Sequence, residues 1–91
     1  LANTRSAIKQ MRRAERRRKI NQVHRSRART LVKKTRRLIA EGRLAEAEAL
    51  SREALSALDR AAQKGVIHKN NAARRKSRLM KHLNQAQEQA A

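Results

Sequence analysis

Gly42-Arg43-Leu44-Ala45-Glu46-Ala47-Glu48-Ala49-Leu50-Ser51-Arg52-Glu53-Ala54-Leu55-Ser56-Ala57-Leu58-Asp59-Arg60-Ala61-Ala62-Gln63-Lys64-Gly65 is the stretch on which the fold turns. Leu44, Ala47, Leu50, Ala54, Leu55, Leu58, Ala61 and Ala62 fall on one arc at about 100° per residue, and Glu46, Glu48, Arg52, Glu53, Asp59 and Arg60 fall outside it. A helix with one face against a core follows. Gly42 and Gly65 are the only glycines of the chain, and it contains no proline. Each glycine stands where a left-handed C-terminal cap ends a helix, since it takes positive φ without a Cβ clash.

The glycines divide the chain into helix-forming segments of about 4–41, 43–64 and 68–88, within a single domain covering residues 1–91. All three are rich in Ala, Leu, Arg, Lys, Gln and Glu, and none alternates apolar and polar residues as a half-buried strand does. The third segment repeats the apolar arc through Ala72, Ala73, Leu79, Met80, Leu83 and Ala86. In the first, the stripe begins late, with Ile20, Val23, Leu31 and Leu38 on a shared side, while Ile8 and Met11 point roughly the opposite way. Short connections make successive helices antiparallel. The expected fold is all-α: a three-helix bundle with an elongated, protruding, very basic first helix. At 1.5 Å per residue that helix is about 55 Å long against about 30 Å for the others. Residues 4–19 are therefore expected to overhang the bundle.

Charge separates the segments by task. The 91 residues carry 25 Lys/Arg against 7 Asp/Glu, a net charge of +18. Residues 1–40 hold fifteen of these cations and a single acid, Glu15. Residues 41–63 hold three cations and five acids, and residues 64–91 seven cations and one acid. The first and third helices are thus expected to meet an anionic partner, and the second to face water. In the overhang Lys9, Arg12, Arg13, Arg16, Arg17, Arg18 and Lys19 are read as covering every side, which suits a partner that surrounds the rod; a solvated basic tail is the competing reading. Like-charged i,i+4 pairs such as Arg12/Arg16 and Arg13/Arg17 outnumber the single attractive pair Glu15/Lys19. The free rod is therefore expected to fray and to order on its partner.

Backbone phosphate rewards such a density of cations through counterion release, so nucleic acid is the expected polyanion. The chain has no Phe, Tyr or Trp, hence no platform for unstacked bases, and recognition should go to phosphates, sugars and helix shape. The third segment opens Gly65-Val66-Ile67-His68-Lys69-Asn70-Asn71, where a helix N-terminus offers free N–H groups to phosphate. Arg74, Arg75, Arg78 and Lys81 point away from the apolar arc, toward RNA or water, and Lys76 lies near the arc with its stem able to pack.

Other chemistries find little support. There is no Cys, and His24, His68 and His82 lie in unrelated contexts without paired spacing, so no metal site, cofactor or catalytic role is expected. The longest apolar run, Leu38-Ile39-Ala40, is too short for a spanning helix or a secretory signal. An organellar transit peptide or amphipathic membrane helix needs an apolar face that the basic rod does not offer. A DNA-compacting protein is the alternative with a similar composition, without helix-turn-helix spacing, zinc finger or zipper heptads. Leu1 occupies the place of an initiator Met, an expected sign of processing, trimming or an alternative start codon.

Three stretches carry a family likeness: Ala2-Asn3-Thr4-Arg5-Ser6-Ala7, Glu15-Arg16-Arg17-Arg18-Lys19-Ile20-Asn21 and, most specifically, Lys64-Gly65-Val66-Ile67-His68-Lys69-Asn70-Asn71-Ala72-Ala73-Arg74-Arg75-Lys76-Ser77-Arg78-Leu79. With the glycine spacing, the chain resembles the bacterial small-subunit ribosomal protein twenty family over essentially its full length. Leu1 and the short C-terminus Gln85–Ala91 depart from the family pattern. The resemblance implies a structural, non-enzymatic constituent of the bacterial cytoplasmic ribosome, rather than a plastid one. It implies direct binding to small-subunit ribosomal RNA, early in assembly, at the 5′ domain and the long penultimate stem, beside neighbouring ribosomal components. Carried over by position, the RNA-contacting candidates are Arg5, Lys9, Arg12, Arg13, Arg16, Arg17, Arg18, Lys19, Asn21, Arg25, Arg29, Lys33, Lys34 and Arg37 of the first helix. In the third they are His68, Lys69, Asn70, Asn71, Arg74, Arg75 and Arg78.

Overall fold

A computed structural model describes residues 4–91; Leu1, Ala2 and Asn3, with their part in the start-site and family readings, lie outside the described residues. Three helices follow one another: α1 (Arg5–Ala40), α2 (Leu44–Gln63) and α3 (Lys69–Ala90), with no strand among the described residues. Thr4 caps α1, its hydroxyl accepting the Ala7 N–H at 3.2 Å. Both glycines adopt positive φ, 77° at Gly42 and 73° at Gly65. Around each, the chain closes α1 and α2 in the same way. Gly42 and Arg43 donate to the carbonyls of Ile39 and Leu38, and Gly65 and Val66 donate to those of Ala62 and Ala61. These are two Schellman motifs, each satisfying carbonyls that a helix end would otherwise leave open.

Packing centres on α2, which touches both other helices, whereas α1 and α3 meet only sparsely. Ala47, Ala54 and Ala61 repeat at seven residues and are wholly buried. Leu58 and Ser51, also seven apart, are buried between them, and Leu44 is half-buried. This alternating three-four seam is the spacing that faces a neighbouring helix, and its alanines let backbones approach closely. Leu58 packs with Ala28 and Ala57 near the α2–α3 turn, and Leu83 packs with Ile39 and Ala47 near the α1–α2 turn. The buried hydroxyls of Thr35 and Ser51 donate to their own helices, at the carbonyls of Leu31 (2.8 Å) and Glu48 (2.7 Å).

Three positions depart from the sequence reading. Ile20 and Val23, expected on the packed stripe of α1, are 56% and 66% exposed, and the first buried residue of that helix is Ala28. Ile20 shares the angular position of Leu31 but lies a turn before His24, which borders α2; Val23 points about 80° to the side of Leu31, away from the buried face. Ala73 of α3 is exposed beside the buried Ala72. The overhang has about the expected extent: residues 5–20 are exposed apart from the half-buried Ala7, and from His24 and Arg25 onward α1 meets α2 and the α2–α3 turn. The molecule measures 65 × 22 × 17 Å, and its radius of gyration of 17.8 Å compares with about 12 Å for a compact chain of this length.

Candidate nucleic-acid interface

On the overhang, Arg5, Lys9, Arg12, Arg13, Arg16, Arg17, Arg18 and Lys19 are all exposed. Only Lys19 among them has an acid within ion-pair reach, Glu15 at 3.9 Å, and that pair is open to water. A row at helical spacing then runs down one side of α1. Arg18, Asn21, Arg25 and Arg29 border a shallow groove with Ala14 and Arg17. The row leads to the α2–α3 turn, where the Arg25 guanidinium donates to the Val66 carbonyl oxygen at 3.3 Å. Arg25 thus spends one donor inside the protein, tying α1 to the turn from which α3 starts.

At that point the structure brings together residues more than forty positions apart. Arg25 and Arg29 from α1, with His68, Asn71 and Arg75, line a cleft of about 310 Å³ floored by Ala28, Leu58, Val66 and Ile67. The floor belongs to the core, so the cleft exists only while α3 is docked. His68, Asn70 and Asn71 are less free than their sequence suggests. His68 is the N-cap of α3, its Nδ1 accepting the Asn70 N–H at 3.1 Å. That bond occupies the Nδ1 lone pair. One of the N–H groups expected to await phosphate is therefore already satisfied. Asn71 Oδ1 accepts the Arg75 Nε–H at 2.8 Å, holding that guanidinium at the cleft.

The remaining candidates are not gathered there. Lys33, Lys34 and Arg37 are exposed along the bundle part of α1, and Lys69, Asn70, Arg74 and Arg78 are exposed on α3. Lys76 reaches across to Asp59 of α2 at 2.7 Å, an internal tie between helices. Arg27 lies in a groove with His24 and α2 residues Arg52, Glu53 and Arg60. Its neighbours of both signs distinguish it from the Arg25–Arg29 row, a difference that residue type alone does not signal. The acids Glu46, Glu48, Glu53 and Asp59 are exposed on α2, several paired with cations: Arg43 to Glu46 and Arg52 to Glu48, each at 3.7 Å.

The charge on the rod is also less uniform than its sequence implies. Ile8, Met11 and Ala14 line an open groove rimmed by Arg12, Glu15 and Arg18, so one side of the rod is apolar. The expectation of cations on every side is corrected accordingly. Among the described residues there is no group of three His, Cys, Asp or Glu side chains placed to hold a metal ion, and no helix long and apolar enough to cross a membrane.

Fold and charge together define a class: small all-helical proteins in which a short bundle carries one long polycationic helix. Residues 2–84 match the family described as Ribosomal protein S20. The chain is 57% identical over 84 residues to the "Small ribosomal subunit protein bS20" of Thermomicrobium roseum, covering 92% of this chain and 85% of the relative. It is 56% identical over 86 residues to the protein of the same name from Roseiflexus, covering 94% and 93%. With that of Aquifex aeolicus it shares 48% over 89 residues, covering 98% and 95%. The chain belongs to the Ribosomal protein S20 family.

Among the described residues the α1 overhang makes no packing contact that would hold its helix, and its i,i+4 cation pairs repel. In the free protein the amides of residues 5–19 should exchange with solvent far faster than those of α2, and should slow on addition of RNA. Strong protection of that stretch without RNA would show that the rod is stable alone.

Proposed function

We propose that the chain is an architectural constituent of the small subunit of the bacterial cytoplasmic ribosome, binding its ribosomal RNA directly and performing no chemistry. The observation that carries this reading is the continuous line of donors from Arg18 through Asn21, Arg25 and Arg29 into the Asn71–Arg75 cleft. Two helices thereby offer one surface to phosphate, while the acids of α2 belong to a third. The rod enters a crevice between RNA helices and its cations lower the repulsion between their phosphates. The bundle seats the cleft on an adjoining backbone. By family resemblance the RNA segments are the 5′ domain and the long penultimate stem, bound early in assembly. The proposed contacts are the basic residues and Asn21 from Arg5 to Arg37 named above, with His68, Lys69, Asn70, Asn71, Arg74, Arg75 and Arg78.

The test is equilibrium binding to protein-free small-subunit ribosomal RNA across a salt series, with duplex DNA as competitor. Log K should fall steeply with log salt, with a slope of roughly five or more, and equimolar duplex DNA should not displace the RNA. Replacing Glu46, Glu48 and Glu53 by Ala should leave both affinity and slope unchanged. A flat salt response removes the phosphate-binding reading. Equal competition by DNA replaces it with a general DNA-compacting one.

A further inference from the structure

The apolar side of the rod has no occupant among the described residues. Ile8 and Met11 are 40% and 59% exposed, on a stretch that precedes the first buried residue of α1, Ala28, by several turns. Ala7, Ile8, Met11 and Ala14 recur at helical spacing, so they form one strip instead of scattered apolar residues. Its borders are cationic except at Glu15, which lies on the same groove and is 3.9 Å from Lys19. Arg12 and Lys19, seven residues apart, run along one edge; Arg17 lies on the other, seven residues after Gln10, and Arg18 closes the C-terminal end. A second copy of the chain is disfavoured here, because two such rods would repel. An acidic protein helix would satisfy the borders only by presenting carboxylates on both flanks of an apolar seam.

A nucleic-acid groove has that pattern by construction: ribose and base edges lie in the middle, with a row of phosphates on each side. The RNA minor groove is wide and shallow, lined by sugars, and admits the side of a helix about 10–12 Å across. Aliphatic side chains, Ile and Met among them, are used by proteins that enter the minor groove of duplex DNA, and they need no aromatic platform. Resting on the RNA-binding reading above, we propose that Ile8, Met11 and Ala14 form a contact for the ribose-lined minor groove of an RNA helix. The bordering arginines and lysine reach the phosphates on either side. The rod then meets RNA through two chemistries, one that responds to salt and one that does not.

The experiment compares the wild-type protein with the double variant Ile8→Gln, Met11→Gln on protein-free small-subunit ribosomal RNA over a salt series. Both residues are exposed and Gln is a good helix former, so the fold is retained, which circular dichroism checks. The variant is expected to bind roughly tenfold more weakly at every salt concentration with an unchanged slope, because apolar contact is lost and no phosphate contact is. Ile8→Leu, Met11→Leu should keep wild-type affinity. Wild-type affinity of the Gln variant for bare RNA overturns the proposal; if incorporation into intact subunits then fails, the strip is covered by a neighbouring protein. A reduced salt slope in the Gln variant also overturns it, because the substitution would then act through the cations. Absence of salt-dependent binding by the wild-type protein overturns the RNA-binding reading itself, a result distinct from either of these.

Discussion

Replacing Arg16, Arg17 and Arg18 together by Ala is expected to weaken binding to small-subunit ribosomal RNA on the order of fiftyfold at about 0.1 M salt and to flatten the salt slope by about two. The figure follows from two of the three side chains pairing with phosphate, each pair adding roughly 0.9 to the slope. The difference should therefore shrink toward nothing as salt approaches about 1 M. All three guanidiniums are exposed and none has an acid within ion-pair distance among the described residues. The change removes no internal contact. Alanine also has the higher helix propensity, and the substitutions relieve the Arg12/Arg16 and Arg13/Arg17 repulsions. The free rod should become more helical while binding worsens, so a fall in affinity cannot be assigned to lost structure. Binding measured at three or four salt concentrations, with helicity followed in parallel, decides the matter. An unchanged slope would mean that these three arginines face water in the complex.

Leu79→Ala should unfold the bundle or bring it to the edge of unfolding. Leu79 is wholly buried, one of three large apolar side chains under 2% exposed among the described residues, with Leu58 and Leu83. Truncating a buried leucine costs about 2–5 kcal/mol, which is comparable to the entire stability of a domain this small. Because the cleft needs α3 docked, RNA affinity should fall as well, although no RNA-facing residue has changed. Saturating RNA should restore part of the lost stability, since it binds the folded form. Thermal and urea unfolding with and without RNA provide the measurement. A loss well below 2 kcal/mol would show that α3 is held mainly by its polar ties, Lys76–Asp59 at 2.7 Å and Gln87–Glu48 at 3.5 Å.

The architecture was legible wherever one residue type dictates one conformation. Gly42 and Gly65 had to close their helices because they alone adopt positive φ at little cost, and the leucine and alanine spacing of α2 defined its packed face. Ser51 and Thr35 escaped because a hydroxyl reads as polar, yet each is hidden once it bonds to its own helix backbone. Ile20 misled for a different reason: periodicity gives a direction around α1 but not how far along it its neighbours extend, while Val23 stands to the side of the buried face. The cationic helices were plain from composition. The cleft was not, because it depends on Arg25 and Arg29 meeting Asn71 and Arg75 across a turn. His68 resembled a free ligand because side-chain caps are usually supplied by Ser, Thr, Asp or Asn. Counting cations along the rod likewise concealed the gap between them at Ile8 and Met11.

The 65 Å length, with fifteen cations on residues 1–40 and a net-negative stretch at 41–63, also governs how the molecule arrives. Such a lopsided distribution is a large electric dipole, and near a polyanion it experiences a torque as well as an attraction. Ions at physiological strength confine that torque to within about 8 Å of the RNA surface. On the proposed RNA-binding function, turning would thus be left to the last moments of approach.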